Sequence, residues 1–287
     1  MKHPPAVSPE SPAKPQDRPV TATASPLAAT APSASPVSGF SPEELAAFER
    51  DGYIVVRDLA PPALRERMLE VTREGLSRLI EPCEFEADLN YPGAPSSRNA
   101  VGGRTVRRLK QALSRDFAFV QWVTHPALVG RLAQLLGPTV VCPLAHHNCI
   151  MTKAPEYSSE TGWHQDIRYW SFERPDLVNV WLALGRELPE NGCLKVIPGT
   201  HRMTFDRSRF DDELFLRTDL PENAELIARQ VWVELEPGDV LFFHARTFHA
   251  AGQNATTQTK YSVVLTFHGT DNAPRPGTRS AALPELL

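Results

Sequence analysis

Short apolar or alternating runs, separated by Gly, Pro, Asn and Asp, recur along the chain from residue 139 onward. These runs are "TVVCPLAHHNCIMTK", "LVNVWLAL", "GCLKVIPG", "RQVWVELEPGDVLFFH" and "KYSVVLTFHG". Runs of this length bounded by turn residues are typical of β-strands, and a series of them predicts a β-sandwich or barrel. We therefore predict a mainly β protein with flanking helices and a jelly-roll core.

Helical periodicity precedes the strand-like region. In "FSPEELAAFERDGYIVV", Ser41 is a good N-cap, Pro42 suits the first helical position, Glu44 completes a capping box, and Gly52 ends the helix. The run "YIVVRDL" after Gly52 then predicts a buried strand.

Two further stretches, "PPALRERMLEVTREGLSRLI" and "HPALVGRLAQLLG", have apolar residues at helical spacing. Between them, residues 82 to 108 are rich in Pro, Gly and Ser and predict a loop. This loop carries four arginines: Arg98, Arg104, Arg107 and Arg108.

Both ends of the chain are predicted to lie outside the folded domain. Residues 1 to 39 hold 9 of the 27 prolines together with many Ala, Ser and Thr residues, a composition that favours disorder. We assign residues 40–275 to one domain and residues 276–287 to a C-terminal tail.

Composition limits the class of protein. The net charge of -4 gives no overall basic field that would recruit nucleic acid. No apolar run approaches the roughly 20 residues needed to cross a bilayer, and the N-terminus has no secretory apolar segment. The four cysteines show no CxxC spacing, so reduced thiols in the cytoplasm are the simpler interpretation.

The segment "TGWHQDIRYW" contains His164 and Asp166, two positions apart. On a strand, residues i and i+2 project from the same face, so an imidazole and a carboxylate can point at one metal ion. With a second histidine from elsewhere they would form the 2-His-1-carboxylate set that suits Fe(II) in oxygenases. An HxD pair alone is also compatible with a surface pair or a hydrogen bond in the core.

The downstream segments "NVWLAL", "NGCLKVIPGTHR", "PGDVLFFH" and "FHAAGQN" follow "WHQD" in a characteristic order. In these motifs and their spacing, the chain resembles the phytanoyl-CoA dioxygenase family of Fe(II)/2-oxoglutarate oxygenases over roughly residues 45 to 270. The resemblance implies a double-stranded β-helix (jelly-roll, cupin-like) core.

The resemblance implies that His164, Asp166 and His249 bind the iron. His249 directly precedes "AAGQN", as the distal histidine does in the family. His244 is the rival for the third position. His249 is five positions after His244, so on one regular strand the two would face opposite sides. That parity favours a structural role for His244.

The resemblance also assigns co-substrate residues. The family's arginine for the distal carboxylate of 2-oxoglutarate stands eleven residues after the distal histidine, where this chain has Lys260. Lysine is a compact charge without the bidentate fork of arginine, and a strand-end surface lysine is the alternative. Trp181 matches a tryptophan that lines the co-substrate pocket, with a core aromatic as the alternative. His147, which shares strand parity with Cys149 and Met151, is our choice beside the co-substrate.

The implied cofactors are Fe(II) and the co-substrates 2-oxoglutarate and O2, and the implied reaction is oxidative. Because Asp166 is retained, hydroxylation is favoured over halogenation, since halogenases of this broader group lack the metal-binding carboxylate. Arginines near the HxD segment favour an acidic substrate. We choose Arg168, Tyr169 and Arg104 as substrate-binding residues.

Among substrates, the segment "WHQDIRYWSF" and the compact length resemble bacterial Kdo hydroxylases, which act on the sugar 3-deoxy-D-manno-oct-2-ulosonic acid of a lipopolysaccharide precursor. A lipid-linked substrate would bring the enzyme to the inner face of the cytoplasmic membrane. Acyl-CoA thioesters, ectoine and free amino acids are the alternatives. A non-oxidative, cupin-like metal protein and a catalytically inactive homologue are the competing classes; the oligomeric state stays open.

Overall fold

The structure is a computed structural model that describes residues 39–286. The tail predicted for residues 1–39 lies outside the described residues, apart from Gly39. Within that range the α-helices are α1 (Pro42–Asp51), α2 (Pro62–Ser77), α3 (Phe117–Val123), α4 (Pro126–Leu136) and α5 (Pro221–Ile227). The strands are β1 (Tyr53–Val56), β2 (Cys83–Phe85), β3 (Val106–Lys110), β4 (Val140–Pro143), β5 (Asn148–Lys153), β6 (Thr161–His164), β7 (Leu177–Ala183), β8 (Leu194–Val196), β9 (Val231–Trp232), β10 (Val240–His244), β11 (His249–Ala251), β12 (Lys260–Gly269) and β13 (Glu285–Leu286).

The strands form two sheets. The larger has the order β1-β10-β7-β12-β5-β3-β2, with β4 paired to β12 and β13 paired to β4. The smaller has the order β6-β11-β8-β9. Every pairing is antiparallel. The predicted mainly β fold with flanking helices is confirmed.

The start of the domain follows the predicted capping pattern. The Ser41 hydroxyl accepts a hydrogen bond from the Glu44 amide, and the Glu44 carboxylate accepts one from the Ser41 amide. Gly52 has φ +77°, which ends α1 in the left-handed conformation that favours glycine. Strand β1 then pairs with β10, so α1 and β1 are held at the edge of the larger sheet.

Two sequence predictions need correction. Residues 82–108 are not all loop, because β2 and the start of β3 extend the larger sheet from β5. Charged side chains hide these strands in the sequence pattern; Glu84 lies opposite Arg108 and pairs with it. The prediction that residues 276–287 form a tail outside the domain is also wrong, since Glu285 and Leu286 pair with β4 and Ser280 is buried.

The larger sheet separates two apolar layers, and β12 shows how its alternation divides them. Val263, Leu265 and Phe267 pack toward the helices, whereas Val264 packs into the space between the two sheets. Residues of the same parity as Val264 therefore face that inner space. No helix among the described residues combines the length and apolar character needed to span a bilayer.

Candidate metal centre and cavity

The smaller sheet positions both histidines of the predicted triad. His164 is the last residue of β6, His249 is the first residue of β11, and the two lie directly opposite each other in the antiparallel pair. Asp166 begins a 3-10 turn rather than continuing β6. The expectation that one strand face aligns His164 with Asp166 is therefore wrong in its local geometry, although both side chains meet.

The three side chains converge at one buried point. The Nε2 atoms of His164 and His249 each lie 3.6 Å from a different oxygen of Asp166. One ligand atom from each residue lies within 4.8 Å of the others, and all three residues are buried. Two imidazoles and one carboxylate at this spacing fit a divalent iron ion that keeps open coordination positions.

Backbone carbonyls fix the tautomer of both histidines. Nδ1 of His164 lies 2.8 Å from the Gly162 carbonyl, and Nδ1 of His249 lies 3.1 Å from the Thr247 carbonyl. A carbonyl only accepts, so Nδ1 carries the proton and Nε2 presents its lone pair to the metal position. Burial and the neighbouring His164 lower the pKa of His249 to about 3, which keeps that ring neutral.

Hydrogen bonds from the larger sheet orient the carboxylate. The side-chain Nδ2 of Asn179 donates to Oδ2 of Asp166 at 2.9 Å. The Thr266 hydroxyl donates to the side-chain Oδ1 of Asn179 at 2.7 Å. Asn179 and Thr266 are register partners on β7 and β12. The 3-10 turn that begins at Asp166 is held in place by a hydrogen bond from the Ile167 amide to the Ala245 carbonyl. Outer-shell bonds of this kind tune a metal site.

His147 contacts the same carboxylate. Its Nε2 lies 3.2 Å from Oδ1 of Asp166, and its ring packs edge-on against Trp170. Burial lowers the pKa of His147, but the Asp166 charge outweighs burial and raises the pKa to about 9. The structure thus places His147 beside the triad, as the strand parity of His147, Cys149 and Met151 predicts.

His244 lies outside the triad. It ends β10, whereas His249 begins β11, so the parity argument for one regular strand does not apply. Nδ1 of His244 accepts a hydrogen bond from the Arg246 amide, and Nε2 faces Asp176 at 3.9 Å. The structural role predicted for His244 fits this position, for a different reason.

The triad opens into a cavity of about 750 Å3 between the sheets. Predicted residues that line it are His147, Trp181, Lys260, Arg168 and Tyr169. Seven cationic side chains line the cavity, against the two carboxylates Glu84 and Asp166. The cationic residues are Arg107, Arg108, Lys110, Lys153, Arg168, Lys260 and Arg279. This excess of positive charge favours anionic ligands.

Lys260 is buried at 5% exposure, which overturns the surface-lysine alternative. Its Nζ donates to Glu187 Oε2 at 3.0 Å and to the Ser262 hydroxyl at 3.2 Å, and lies 5.1 Å from the Trp181 ring centre. The Trp181 indole N–H donates to the other Glu187 oxygen at 3.0 Å. Trp181 is therefore both a core aromatic and a cavity wall.

Of the three substrate-binding residues predicted from the sequence, two line the cavity and one does not. Arg168 stacks on the Phe215 ring at 4.0 Å and donates to the carbonyls of Glu213 and Leu214. Tyr169 is 49% exposed at the cavity wall. Arg104 is exposed, does not line the cavity, and lies 5.9 Å from the Phe85 ring centre. The structure therefore does not bring Arg104 to this site.

Several residues at this site were not predicted from the sequence. Asn179 and Thr266 read as ordinary strand residues, and Glu187 stands in a loop where nothing marks it as buried. Lys153 had a usable signal, because it continues the alternation of His147, Cys149 and Met151. Arg107 was counted among loop arginines, yet it is buried and pairs with Glu86 at 3.3 Å.

Comparison with known proteins agrees with this site. The family profile described as phytanoyl-CoA dioxygenase (PhyH) matches residues 48–262. The human peroxisomal phytanoyl-CoA dioxygenase is 24% identical over 231 residues, covering 78% of this chain and 67% of the human protein. An ectoine dioxygenase from Streptomyces coelicolor is 25% identical over 262 residues, covering 85% and 83%.

Solved structures show the same fold. EctD from S. alaskensis with 2-oxoglutarate and 5-hydroxyectoine aligns with a TM-score of 0.67 at 22% identity, over 85% of this chain and 82% of that one. The epimerase SnoN in complex with Fe3+, alpha ketoglutarate and nogalamycin RO aligns with a TM-score of 0.66 at 21% identity, over 84% and 89%. These matches confirm the double-stranded β-helix. The chain belongs to the phytanoyl-CoA dioxygenase family and is an Fe(II)- and 2-oxoglutarate-dependent oxygenase of that family.

Proposed function

We propose that His164, Asp166 and His249 bind the catalytic iron and that the enzyme hydroxylates a C–H bond of an acidic small molecule. The convergence of these three buried side chains on one point carries the metal assignment. Bound iron would supply the activation of O2, so that substrate, 2-oxoglutarate and O2 yield hydroxylated substrate, succinate and CO2. The chain's own residues fix the ligands and select what enters the cavity.

The proposed position of 2-oxoglutarate is the inner part of the cavity beside Trp181, Lys260 and His147. Lys260 uses two of its three ammonium N–H groups on Glu187 and Ser262, so one remains for the co-substrate. Trp181 forms an apolar wall beside this place. His147 borders the Asp166 end, where it holds the carboxylate opposite Asn179.

The proposed substrate carries a carboxylate or phosphate group. The cationic lining supports this class, and Arg168 supports it most directly. Its guanidinium donates only to backbone carbonyls and forms no ion pair with a carboxylate in the described part of the chain. The neighbouring Tyr169 offers a hydroxyl and an exposed ring at the same wall. A sugar acid or an organic phosphate has the charge to pair with Arg168.

Within this class, 3-deoxy-D-manno-oct-2-ulosonic acid, free or linked to a lipopolysaccharide precursor, is our specific candidate because it carries a carboxylate. A lipid-linked form would place the reaction at the inner face of the cytoplasmic membrane. We propose a cytoplasmic location, which the four free cysteine thiols support. Acyl-CoA thioesters and ectoine-like zwitterions are the alternatives, since relatives are named for phytanoyl-CoA and ectoine.

Anaerobic titration tests the metal assignment. We expect the wild-type protein with Fe(II) and 2-oxoglutarate to develop a weak visible charge-transfer band. His164→Ala should give no band, because one of three iron ligands is lost. His244→Ala is the matched control and should keep the band. A band in His164→Ala, or its loss only in His244→Ala, would contradict the assigned ligands.

Succinate formation then tests the substrate class. Acidic sugars, including the Kdo sugar, should raise succinate yield above the substrate-free rate and gain one oxygen by mass spectrometry. Acyl-CoA thioesters, ectoine and amino acids form the comparison set. Stimulation by a neutral compound alone would contradict the acidic class, and iron binding without any effect of 2-oxoglutarate would favour a non-oxidative cupin-like protein.

A further inference from the structure

We propose that Lys153, rather than Lys260 alone, supplies the positive charge that holds the distal carboxylate of 2-oxoglutarate. This inference rests on the proposed function, because it concerns the same cavity and co-substrate. It changes which residue balances the charge of the bound dianion. It also explains how a chain with lysine in place of the family's arginine can hold that carboxylate.

The charge of Lys260 is already matched inside the protein. Glu187 is fully buried and faces Lys260 at 3.0 Å. It also accepts hydrogen bonds from the Trp181 indole and the Ser262 hydroxyl. The pair is therefore close to neutral as a unit. A carboxylate arriving beside it would gain a hydrogen bond but no net opposite charge.

Three other cations of the cavity share two carboxylate partners, Glu84 and Glu86. Arg107 pairs with Glu86 at 3.3 Å, Arg108 with Glu84 at 3.0 Å, and Lys110 with Glu84 at 3.8 Å. Lys153 is the buried lysine of this cavity that has no carboxylate within 4.0 Å among the described residues. Its Nζ donates to the Ser159 carbonyl at 2.7 Å, which leaves two N–H groups for a ligand.

Strand pairing brings Lys153 to the co-substrate end of the cavity. Lys153 is the register partner of Lys260 in the β5–β12 pair, so both lysines enter from neighbouring strands at the same level. Gly192 leaves room for the side chain, since a Cβ there would lie 2.7 Å from Lys153 Cδ. Lys153 is only 8% exposed and lines the cavity.

The path of β6 separates this end from the proposed substrate end. Ser159, which accepts from Lys153, precedes β6, and Arg168 follows it. His164 lies between them at the metal position. Ser159, the partner of Lys153, and Arg168 therefore lie on opposite sides of His164 along the chain. An anion at Lys153 occupies the side that also holds Lys260 and Trp181, which is the side proposed for 2-oxoglutarate.

An ammonium without a counter-ion is unfavourable in such a place. Burial, followed by the positive charges of Arg107 and Lys260, lowers the pKa of Lys153 to about 7. A bound carboxylate relieves this penalty, so the relief adds to the affinity for the anion. A keto acid that lacks the distal carboxylate cannot gain from it.

The test compares two keto acids of equal chain length. Anaerobic protein loaded with Fe(II) is titrated with 2-oxoglutarate and with 2-oxovalerate, which has a methyl group in place of the distal carboxylate. For Lys153→Met we expect the Kd of 2-oxoglutarate to rise about 10- to 100-fold, the range for a lost charge-assisted bond. The Kd of 2-oxovalerate should stay within about twofold of wild type, as expected if the metal site is intact.

Matched variants sharpen the outcome. Arg104→Met removes a cation outside the cavity, and it should leave both affinities unchanged. Lys153→Arg should restore most of the 2-oxoglutarate affinity, and Lys153→Gln should behave as the methionine variant does. Unchanged 2-oxoglutarate binding in Lys153→Met, or equal weakening of both acids, would overturn the inference alone. Failure of the wild-type protein to bind either acid would overturn the proposed function, and the inference with it.

Discussion

Glu187 and Lys260 form an ion pair in the wall of the cavity, with 3.0 Å between Oε2 and Nζ and both side chains buried. Glu187 stands in the loop after β7, whereas Lys260 begins β12 on the neighbouring strand. Glu187 cancels most of the charge that the sequence assigned to Lys260, which lines the cavity. Its two members should therefore respond differently to an anion.

Glu187→Gln should destabilise the co-substrate-free protein by about 3–5 kcal/mol, because it leaves a buried ammonium without its partner. A bound carboxylate can replace that partner, so 2-oxoglutarate should raise the Tm of Glu187→Gln more than that of wild type. Lys260→Met leaves a buried carboxylate instead, and 2-oxoglutarate should raise its Tm less. Thermal unfolding of the Fe(II) forms measures both shifts. Equal shifts in the two variants would show that the pair does not face the co-substrate.

The affinity for 2-oxoglutarate should fall as the pH rises above about 7, the value to which the pKa of Lys153 is lowered. Arg107 and Lys260 lower this pKa beyond the effect of burial, while Glu86 and Glu160 oppose them. Only the protonated amine attracts the carboxylate, so Kd should increase up to about tenfold per pH unit above that value. Titration between pH 6 and 9 checks this slope.

The slope has an internal control. Lys153→Arg keeps its charge throughout this range and should flatten the pH dependence. Binding of 2-oxovalerate to the wild-type protein should be flat as well, because no distal carboxylate is present. A slope of equal size with 2-oxovalerate would assign the titration to the metal end of the cavity rather than to Lys153.

Lys153 should also lower the stability of the ligand-free protein. Below pH 7 Lys153 is protonated in the folded and unfolded states, and the folded state bears the full burial penalty. Between pH 7 and 10.5 the unfolded state binds more protons, so the free energy of unfolding contributed by this residue rises with pH. Lys153→Met removes the penalty. At pH 6 its free energy of unfolding should exceed that of wild type by roughly 1–3 kcal/mol, and it should unfold at a higher urea concentration. The difference in free energy should be smaller at pH 9.

Chemical unfolding curves at the two pH values decide the matter, with Lys110→Met as the exposed-lysine control. A Lys153→Met protein that is less stable than wild type at pH 6 would mean that the hydrogen bond to Ser159 outweighs the buried charge. A gap that grows from pH 6 to pH 9 would reverse the expected sign.

The sequence predicted which three side chains would meet because motif and spacing act locally. His164, Asp166 and His249 meet as expected, although Asp166 begins a 3-10 turn and β10 and β11 are separate strands. The strand parity rule thus predicted the observed convergence from an incorrect local geometry. The three residues were identified by the motifs, which indicate the side chains but not the conformation of the backbone between them.

Charge balance could not be predicted in the same way. Lys260 was identified by its distance from His249, yet its partner Glu187 lies 73 positions earlier in the chain. Arg107 of β3 likewise pairs with Glu86, which follows β2, within a segment that the sequence predicted as loop. Such pairs depend on strand order, and strand order is a property of the whole fold.

The Asn179 amide should matter for iron affinity although it does not bind the metal. It donates to Asp166 and is itself held by Thr266. Asn179→Ala frees the carboxylate to turn, and we expect a 10- to 100-fold loss in Fe(II) affinity, the usual range for an orienting partner of a ligand. Asn223→Ala is the matched control, since Asn223 is also buried but bonds Arg209 and Arg217. Equal affinity losses in the two variants would indicate general destabilisation.

Arg168 should determine selection among substrates without affecting the co-substrate. It lines the cavity and has no carboxylate partner among residues 39–286. Arg168→Met should therefore raise the KM for an acidic substrate about tenfold or more, because a charge-assisted bond is lost. The charge-transfer band with 2-oxoglutarate should be unchanged. Arg104→Met is the control, since Arg104 is exposed outside the cavity. Equal KM values for Arg168→Met and wild type would remove Arg168 from the site, and a raised KM in Arg104→Met would return Arg104 to it.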